Sequence, residues 1–485
     1  MRWLEDERRR LAASVVLITS AACVLSGCAG IPSASHDPAV NAGPATSSPS
    51  PAEAQAGSRH GARKAHGTAP VDVYAHDRPS MLSPVVERFP SRVYVPNSES
   101  DTVSVIDPRT YRVIREFPVH GRPQHVVPSW DLKTLWVNNN DGNTLIPINP
   151  MTGKPGKAVP VDDPYNLYFT PNGRTALVMA ERNNRLDFRD PHTMRLRHSL
   201  DMPCRGINHG DFTVDETVFL ASCEFSGQLV VVDVAARKVR TVIDLLSRDV
   251  PHTDVRNLKA RRDPLSHDSQ GSGDSHGAPS HEAPSRRGTT HGMAPGTAHG
   301  MAAGMTVGTA HGVAHGVAHS MAHDMTHGAV GHSSMPQDVK LSPDGTTFYV
   351  ADMAMGGVWL VDAKKFRVRR FVRTGAGAHG LYVSRDSRLL YVSNRGEGSV
   401  SVISFASRRP VATWRIPGGG SPDMGGVSAD GRRLWLSGRY NGVVYVFDTG
   451  SGRLIRKIPV GAGPHGLAIY PQPGRYSLGH TGIFR

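Results

Sequence analysis

The sequence predicts an all-β chain in which seven four-stranded antiparallel sheets close into a ring, and three observations predict it. First, a short apolar core recurs as VYVPN, LWVNN, LVMAE, FLASC, FYVAD, LYVSN and LWLSG, centred on Tyr94, Trp136, Val178, Leu220, Tyr349, Tyr391 and Trp435. Second, the first four centres are each 42 residues apart, Tyr349 to Tyr391 is again 42, and Tyr391 to Trp435 is 44. Third, every copy holds several short apolar runs separated by turn residues. A period near 40 with four strands per copy reads as a propeller blade, so the expected fold is a seven-bladed β-propeller spanning 76–485.

One repeat shows why. The run DVKL meets the turn Ser342-Pro343-Asp344-Gly345, and further runs follow at 347–351, 358–361 and about 368–372. They are rich in Val, Tyr, Phe and Leu and bounded by Gly, Pro, Asn and Asp, which are strand and turn signals. A single four-stranded sheet cannot bury both faces, so the copies must pack on one another around an axis. The first clear strand, 92–96, matches the second strand of a blade, and the last, 466–470 after Pro464-His465, matches the first. The two ends are therefore expected to share one blade, which removes an exposed sheet edge. The tail GRYSLGHTGIFR follows this joint, and its course is not readable from sequence.

The segments YVPNSESDTVSVIDPRTYRVIREFPV and LYVSNRGEGSVSVI resemble the YVTN-type repeat, and PQDVKLSPDG and PHGLAIYP resemble its innermost strand. The resemblance covers roughly 92–471 apart from one insertion. It implies the fold but not the activity: the same architecture serves surface-layer proteins, propeller domains of nitrite and nitrous oxide reductases, and lactonase-like hydrolases.

Residues 1–28 resemble a bacterial lipoprotein signal. A basic start diluted by Glu5, Asp6 and Glu7 precedes an apolar stretch at 11–24, too short to span a bilayer comfortably. The stretch ends in Leu25-Ser26-Gly27-Cys28, a lipobox-like site with Cys28 as the lipidated residue; an ordinary signal peptide or uncleaved anchor is the alternative. Residues 29–75 read as a disordered tether, because an Ala, Ser, Pro and Gly-rich segment buries too little surface to offset its ordering entropy. It would reach on the order of 35 Å. The expected location is extracytoplasmic, lipid-anchored to the bacterial cell membrane, as a monomer.

Cys204 and Cys223 fall at the same end of one blade in the repeat register. Export permits a disulfide between them, with a thiolate metal site including His209, or two free thiols, as alternatives. The formal charge of +13 is spread along the chain and arginine predominates. That suits anionic lipid or a cell-wall polymer, and it is equally the arginine bias of a GC-rich genome; a protein or cell-wall partner is expected at the propeller face, where the loops carry charges of both signs. No nucleic-acid module stands out, so nucleic acid is not an expected partner.

The gap from Leu220 to Tyr349 is one period plus about 87 residues, placing an insertion at 247–334 between the outermost strand of one blade and the innermost strand of the next. Eleven of the 24 histidines lie in 267–332, joined by methionines such as Met293, Met301 and Met305. His291, His299, His311, His315, His319, Met321, His323, Met325 and His327 are its candidate metal ligands, five of the histidines recurring every four residues. Imidazole suits copper, nickel and zinc, and thioether sulfur favours Cu(I), so copper or another transition metal is the cofactor this tract points to. The same AHG-rich pattern also arises by slippage of a short DNA repeat, and such a tract binds metal in vitro whatever its role.

The innermost strands begin with Gln124, Tyr165, Asn208, Gln337, His379, Asp423 and His465 at equivalent positions, followed by His125, Asn166, His209 and Asp338. Among these, His125, His209, His379, Asp423 and His465 form the candidate cofactor-binding ring at the propeller mouth. Loops after the second strands add Glu99, Asp141, Glu181, Arg182, Glu224, Asp352, Arg395, Glu397, Arg439 and Tyr440. A nitrous oxide reductase-like copper cluster needs histidines in nearly every blade, and only four candidates are present. A haem-bearing cytochrome part is not indicated, since no Cys-x-x-Cys-His occurs. No catalytic residue is assigned. The reading is a surface binding or scaffold module with a metal-capturing His/Met loop. The alternative is an extracytoplasmic metal-dependent enzyme at the mouth, either a redox protein or a lactonase-like hydrolase using Asn166, Asn208, Asp338, Asp423 and His379.

Overall fold

The computed structural model describes residues 71–247, 333–480 and 482–485. Seven four-stranded antiparallel blades form the ring. Blade 1 is the shared one: Ala468–Tyr470 is its innermost strand, followed outward by Arg92–Asn97, Thr102–Asp107 and Arg112–Pro118. Blades 2 to 7 have innermost strands Pro123–Pro128, Pro164–Phe169, Ile207–Phe212, Pro336–Leu341, Ala378–Val383 and Pro422–Val427. Each innermost strand adjoins those of its two neighbours, closing the ring as the matched ends required.

Burial follows position. The innermost strands of blades 2 to 7 are buried at every residue, whereas an outermost strand such as Arg112–Pro118 buries only Phe117. The core lies between blades. Val218, Leu220 and Val231 of blade 4 meet Val339, Leu341, Phe348 and Trp359 of blade 5, a contact repeated around the ring with other residues. Fully burying one such side chain contributes about 1.5–3 kcal/mol, so the ring is held by many comparable interfaces.

The turn signals have a common mechanism. After the innermost strand of blades 2 to 7, a Ser or Thr hydroxyl donates to the Asp or Asn two residues on: Ser129–Asp131, Thr170–Asn172, Thr213–Asp215, Ser342–Asp344, Ser384–Asp386 and Ser428–Asp430. This satisfies local polar groups and fixes the hairpin.

Two boundaries and one side chain differ from the sequence reading. Residues 71–75 were expected in the tether, yet Tyr74 is buried and its hydroxyl donates to the Leu341 carbonyl at 2.8 Å, because an aromatic ring here finds an apolar seat under blade 5. Ser334 was assigned to the insertion, yet it is buried and donates to Asp352. Asp352 is not a solvated mouth charge: it is fully buried, accepting from the Trp359 indole (2.8 Å) and the backbone N–H groups of Met335 and Met355. The proposed lipidation site Cys28 and the metal ligands from His291 to His327 lie outside the described residues.

The tail takes a course that the sequence did not disclose. Ser477–Gly479 and Ile483–Phe484 form two further strands, and Ser477–Gly479 pairs with the inner edge of Pro164–Phe169. At the end opposite the mouth, Arg485 donates to Asp211 at 3.0 Å and lies over the Tyr74 ring. Asp211 also accepts from the N–H groups of Phe212 (2.8 Å) and Leu341 (2.9 Å), tying blade 4 to blade 5. Asp211→Ala would leave a buried guanidinium and two buried N–H groups without their acceptor. We expect a loss of about 3–5 kcal/mol in a urea unfolding series. A loss below about 1 kcal/mol would mean that this tie does not hold the blades.

Candidate metal centre

A flat strand alternates its side chains, so only every second residue of an innermost strand would face the axis. Here each innermost strand carries one extra residue near its start, relative to its partner, in all seven blades. Such a bulge bends the strand and brings consecutive residues toward the same side. Tyr165 and Asn166 illustrate the result. The Tyr165 ring is 5.4 Å from the His125 ring, while the Asn166 amide is 3.1 Å from His480 Nδ1.

The bulges bring all five ring candidates together. His125 of blade 2 stands 5.5 Å from His209 of blade 4 and 4.9 Å from His465 of blade 1, between ring centroids. His379 of blade 6 is 5.8 Å from His465 and 6.1 Å from His209. Asp423 of blade 7 lies 3.0 Å from His379 Nδ1 and 3.5 Å from His465 Nε2. Gly466 makes room for this packing: a Cβ there would fall 2.0 Å from His125 Nδ1.

A fifth histidine comes from the tail. His480 is fully buried, 5.2 Å from the His125 ring and 4.9 Å from the His209 ring. Its backbone N–H donates to the Leu167 carbonyl, and Gly479 has a close approach that a Cβ would block, 2.4 Å from that carbonyl oxygen. Sequence reasoning missed His480. The only signal was the small-residue setting Ser-Leu-Gly-His after the closing strand, which does not say which blade accepts it.

His125, His209 and His480 each offer a ring nitrogen, all within 4.8 Å of one another; His379, Asp423 and His465 form a second such group. Neither ring nitrogen of His125 or His209 has a hydrogen-bond partner among the described residues, although both side chains are fully buried. Leaving such a group unpaired costs about 1–3 kcal/mol, and buried polar atoms are paired in the great majority of cases. A bound cation would supply a partner for one nitrogen of each ring.

Other channel residues are already engaged. Asp338 accepts from the N–H groups of Val339 and Leu381, both at 2.9 Å, and faces Lys340 and His480 at 3.4 Å. The Asn166 amide donates to the Asn208 carbonyl, and Asn208 is held by Glu224 and Ser222. At the mouth, Arg395 lies 3.4 Å from Asp423 and over the Tyr440 ring, and Arg439 donates to Ser98. Arg182 joins Asp141 and Asp163, and Glu397 joins Arg415. Cys204 and Cys223 form a disulfide at the same face, Cα to Cα 6.0 Å.

Burial pushes His125, His209, His465 and His480 below the ordinary histidine value of 6.5; neighbouring positive groups add to this, while at His480 the Asp338 carboxylate opposes burial without cancelling it. For Asp338, burial raises the pKa, but Lys340 and His480 outweigh it and leave the carboxyl below the usual range. Asp423 behaves likewise, with His379 and Arg395 outweighing burial. The sign for stability follows. Below about pH 6.5 the unfolded chain takes up protons that the buried imidazoles refuse, so stability falls as pH drops from 7.5 to 5.5. We expect a lower urea midpoint at pH 5.5 for metal-free protein, and a smaller drop for His125→Asn/His209→Asn. Equal drops in both proteins would contradict neutral, buried imidazoles.

The model of the YNCE-like beta-propeller family matches residues 81–194 and 309–473. No curated protein matches the chain in sequence. Among solved structures, Kuenenia stuttgartiensis hydrazine synthase is similar at 15% identity and TM-score 0.50, covering 80% of this chain and 98% of that one. A functionally unknown protein from Desulfotomaculum acetoxidans is similar at 12% identity and TM-score 0.51, covering 78% and 98%. At these identities the likeness is one of fold. With more than half of its length matched by the family model, the chain belongs to the YNCE-like beta-propeller family.

Proposed function

We propose that this chain is an extracytoplasmic binding propeller whose channel holds a transition-metal ion between His125, His209 and His480. The observation that carries the reading is the pair of buried imidazoles, His125 and His209, with no hydrogen-bond partner at either nitrogen. Their near neighbour His480 completes a three-imidazole donor set, which suits copper, zinc or nickel. The protein's part is to present neutral imidazoles from two blades and the tail in a water-poor space. His480 contacts the Asn166 amide at Nδ1 and the Asp338 carboxylate at Nε2, so it binds the ion by giving up one of these contacts and stays positioned by the other. A hydrolytic role has less support, because Asn166, Asn208 and Asp338 are committed to neighbouring groups.

The location belongs to the same proposal. A lipidated Cys28 and a tether would hold the ring at the outer face of the cell membrane, with a protein or cell-wall partner at the mouth face. The Cys204–Cys223 disulfide supports an oxidising compartment. The His/Met-rich insertion would act as an accessory metal-capturing segment. Its flanks meet at Gly227 on the mouth face: Leu245 donates to the Gly227 carbonyl, and a Cβ at Gly227 would lie 3.1 Å from the Ser334 carbonyl oxygen.

Because the insertion binds metal on its own account, the test uses the full chain and a variant lacking 251–332, which spares Leu245 and Ser334. In the shortened protein we expect at least one tightly held ion, and for one ion a loss of affinity of about 100-fold or more in His125→Ala/His209→Ala, about 2.7 kcal/mol. Removal of all tightly bound metal with the insertion, or indifference to the double substitution, would refute the channel site.

A further inference from the structure

The second half of the channel carries an unassigned donor. Met424 follows Asp423 on blade 7 and is fully buried. The bulge there turns both residues toward His379. His379 Nδ1 lies 3.0 Å from Met424 Sδ and 3.0 Å from Asp423 Oδ1. His465 Nε2 reaches the other oxygen of Asp423, an oxygen with no hydrogen-bond partner among the described residues. Two imidazoles, a thioether and a carboxylate therefore converge beside the three-imidazole group, separated from it by the His125–His465 contact of 4.9 Å.

We propose that His379, His465, Met424 and Asp423 form a second, soft metal subsite that selects Cu(I). This rests on the reading of the channel as a metal site. Two physical features point to the monovalent ion. Thioether sulfur is a soft donor that suits Cu(I) and is a poor partner for Zn(II). Arg395 stands 3.4 Å from Asp423, and its fixed positive charge repels a divalent ion about twice as strongly as a monovalent one at the same distance. An apolar role alone explains the burial of Met424, but not its sulfur against an imidazole nitrogen that also faces a carboxylate.

Met424→Leu tests the subsite while nearly conserving volume, a change that usually costs under about 1.5 kcal/mol of stability. The full chain is labelled at its methionine methyl groups and titrated with Cu(I) under reducing, anaerobic conditions, and separately with Zn(II). The Met424 methyl resonance is identified by its absence from the Met424→Leu spectrum. We expect Cu(I) to shift this resonance before the first two equivalents are complete and Zn(II) to leave it in place. In competition with a Cu(I) chelator, Met424→Leu should lose one tightly bound equivalent, with Zn(II) binding unchanged. A Met424 resonance unmoved by Cu(I), in protein that binds copper elsewhere, overturns the subsite. The His125→Ala/His209→Ala protein separates the two readings. If its Met424 resonance still answers Cu(I) and it keeps as many tightly bound equivalents as the unsubstituted chain, the three-imidazole site alone has failed; if Met424 is silent in the unsubstituted chain while the double substitution abolishes binding, only the soft subsite has failed.

Discussion

The one-residue bulge at the start of every innermost strand is the constraint on which the channel depends. Ring closure brings seven strands to a common axis, and without the bulge each would present one inward residue at that level. With it, neighbours such as Tyr165 and Asn166, or Asp423 and Met424, both reach the axis region. The consequence is crowding of polar side chains in a space that the blades keep dry. Some of them fasten blades together, as Asp338 does through the Leu381 N–H and Asn166 through the Asn208 carbonyl. The imidazoles of His125 and His209 have no such task.

Much of this was readable from the chain. The period of 42 fixed the number of blades, the matched ends fixed the shared blade, and the Ser-Pro-Asp-Gly type turns fixed the hairpins. Aligning the repeats placed His379, Asp423 and His465 at one strand position and His125 and His209 at the next, and equivalent positions in a closed ring must face a common axis. The bulge was not readable, since it adds no residue type of its own. Met424, one residue beyond Asp423, was therefore not among the candidates. His480 was hidden for another reason: its place depends on a pairing with Pro164–Phe169 more than 300 residues away. Mouth charges such as Asp352 were misjudged because a carboxylate in a loop looks solvated until its indole and N–H donors are seen.

The electrostatics of the channel are divided by position. Asp423 is bordered on the mouth side by Arg395, while Asp338 on the far side is bordered by Lys340. Each carboxylate thus has one fixed cation and at least one imidazole in reach. This arrangement keeps the net charge of the donor groups low, so that imidazole nitrogen and thioether sulfur, rather than carboxylate charge, set the preference for a metal. The tail ties the site to the fold: the segment that carries His480 also carries Arg485, which binds Asp211 between blades 4 and 5.

The most direct measurement is an anomalous diffraction map at the copper edge from crystals grown with the copper-loaded chain. The account predicts density among His125, His209 and His480. It is contradicted if copper is found only outside the channel while ordered waters satisfy the nitrogens of His125 and His209.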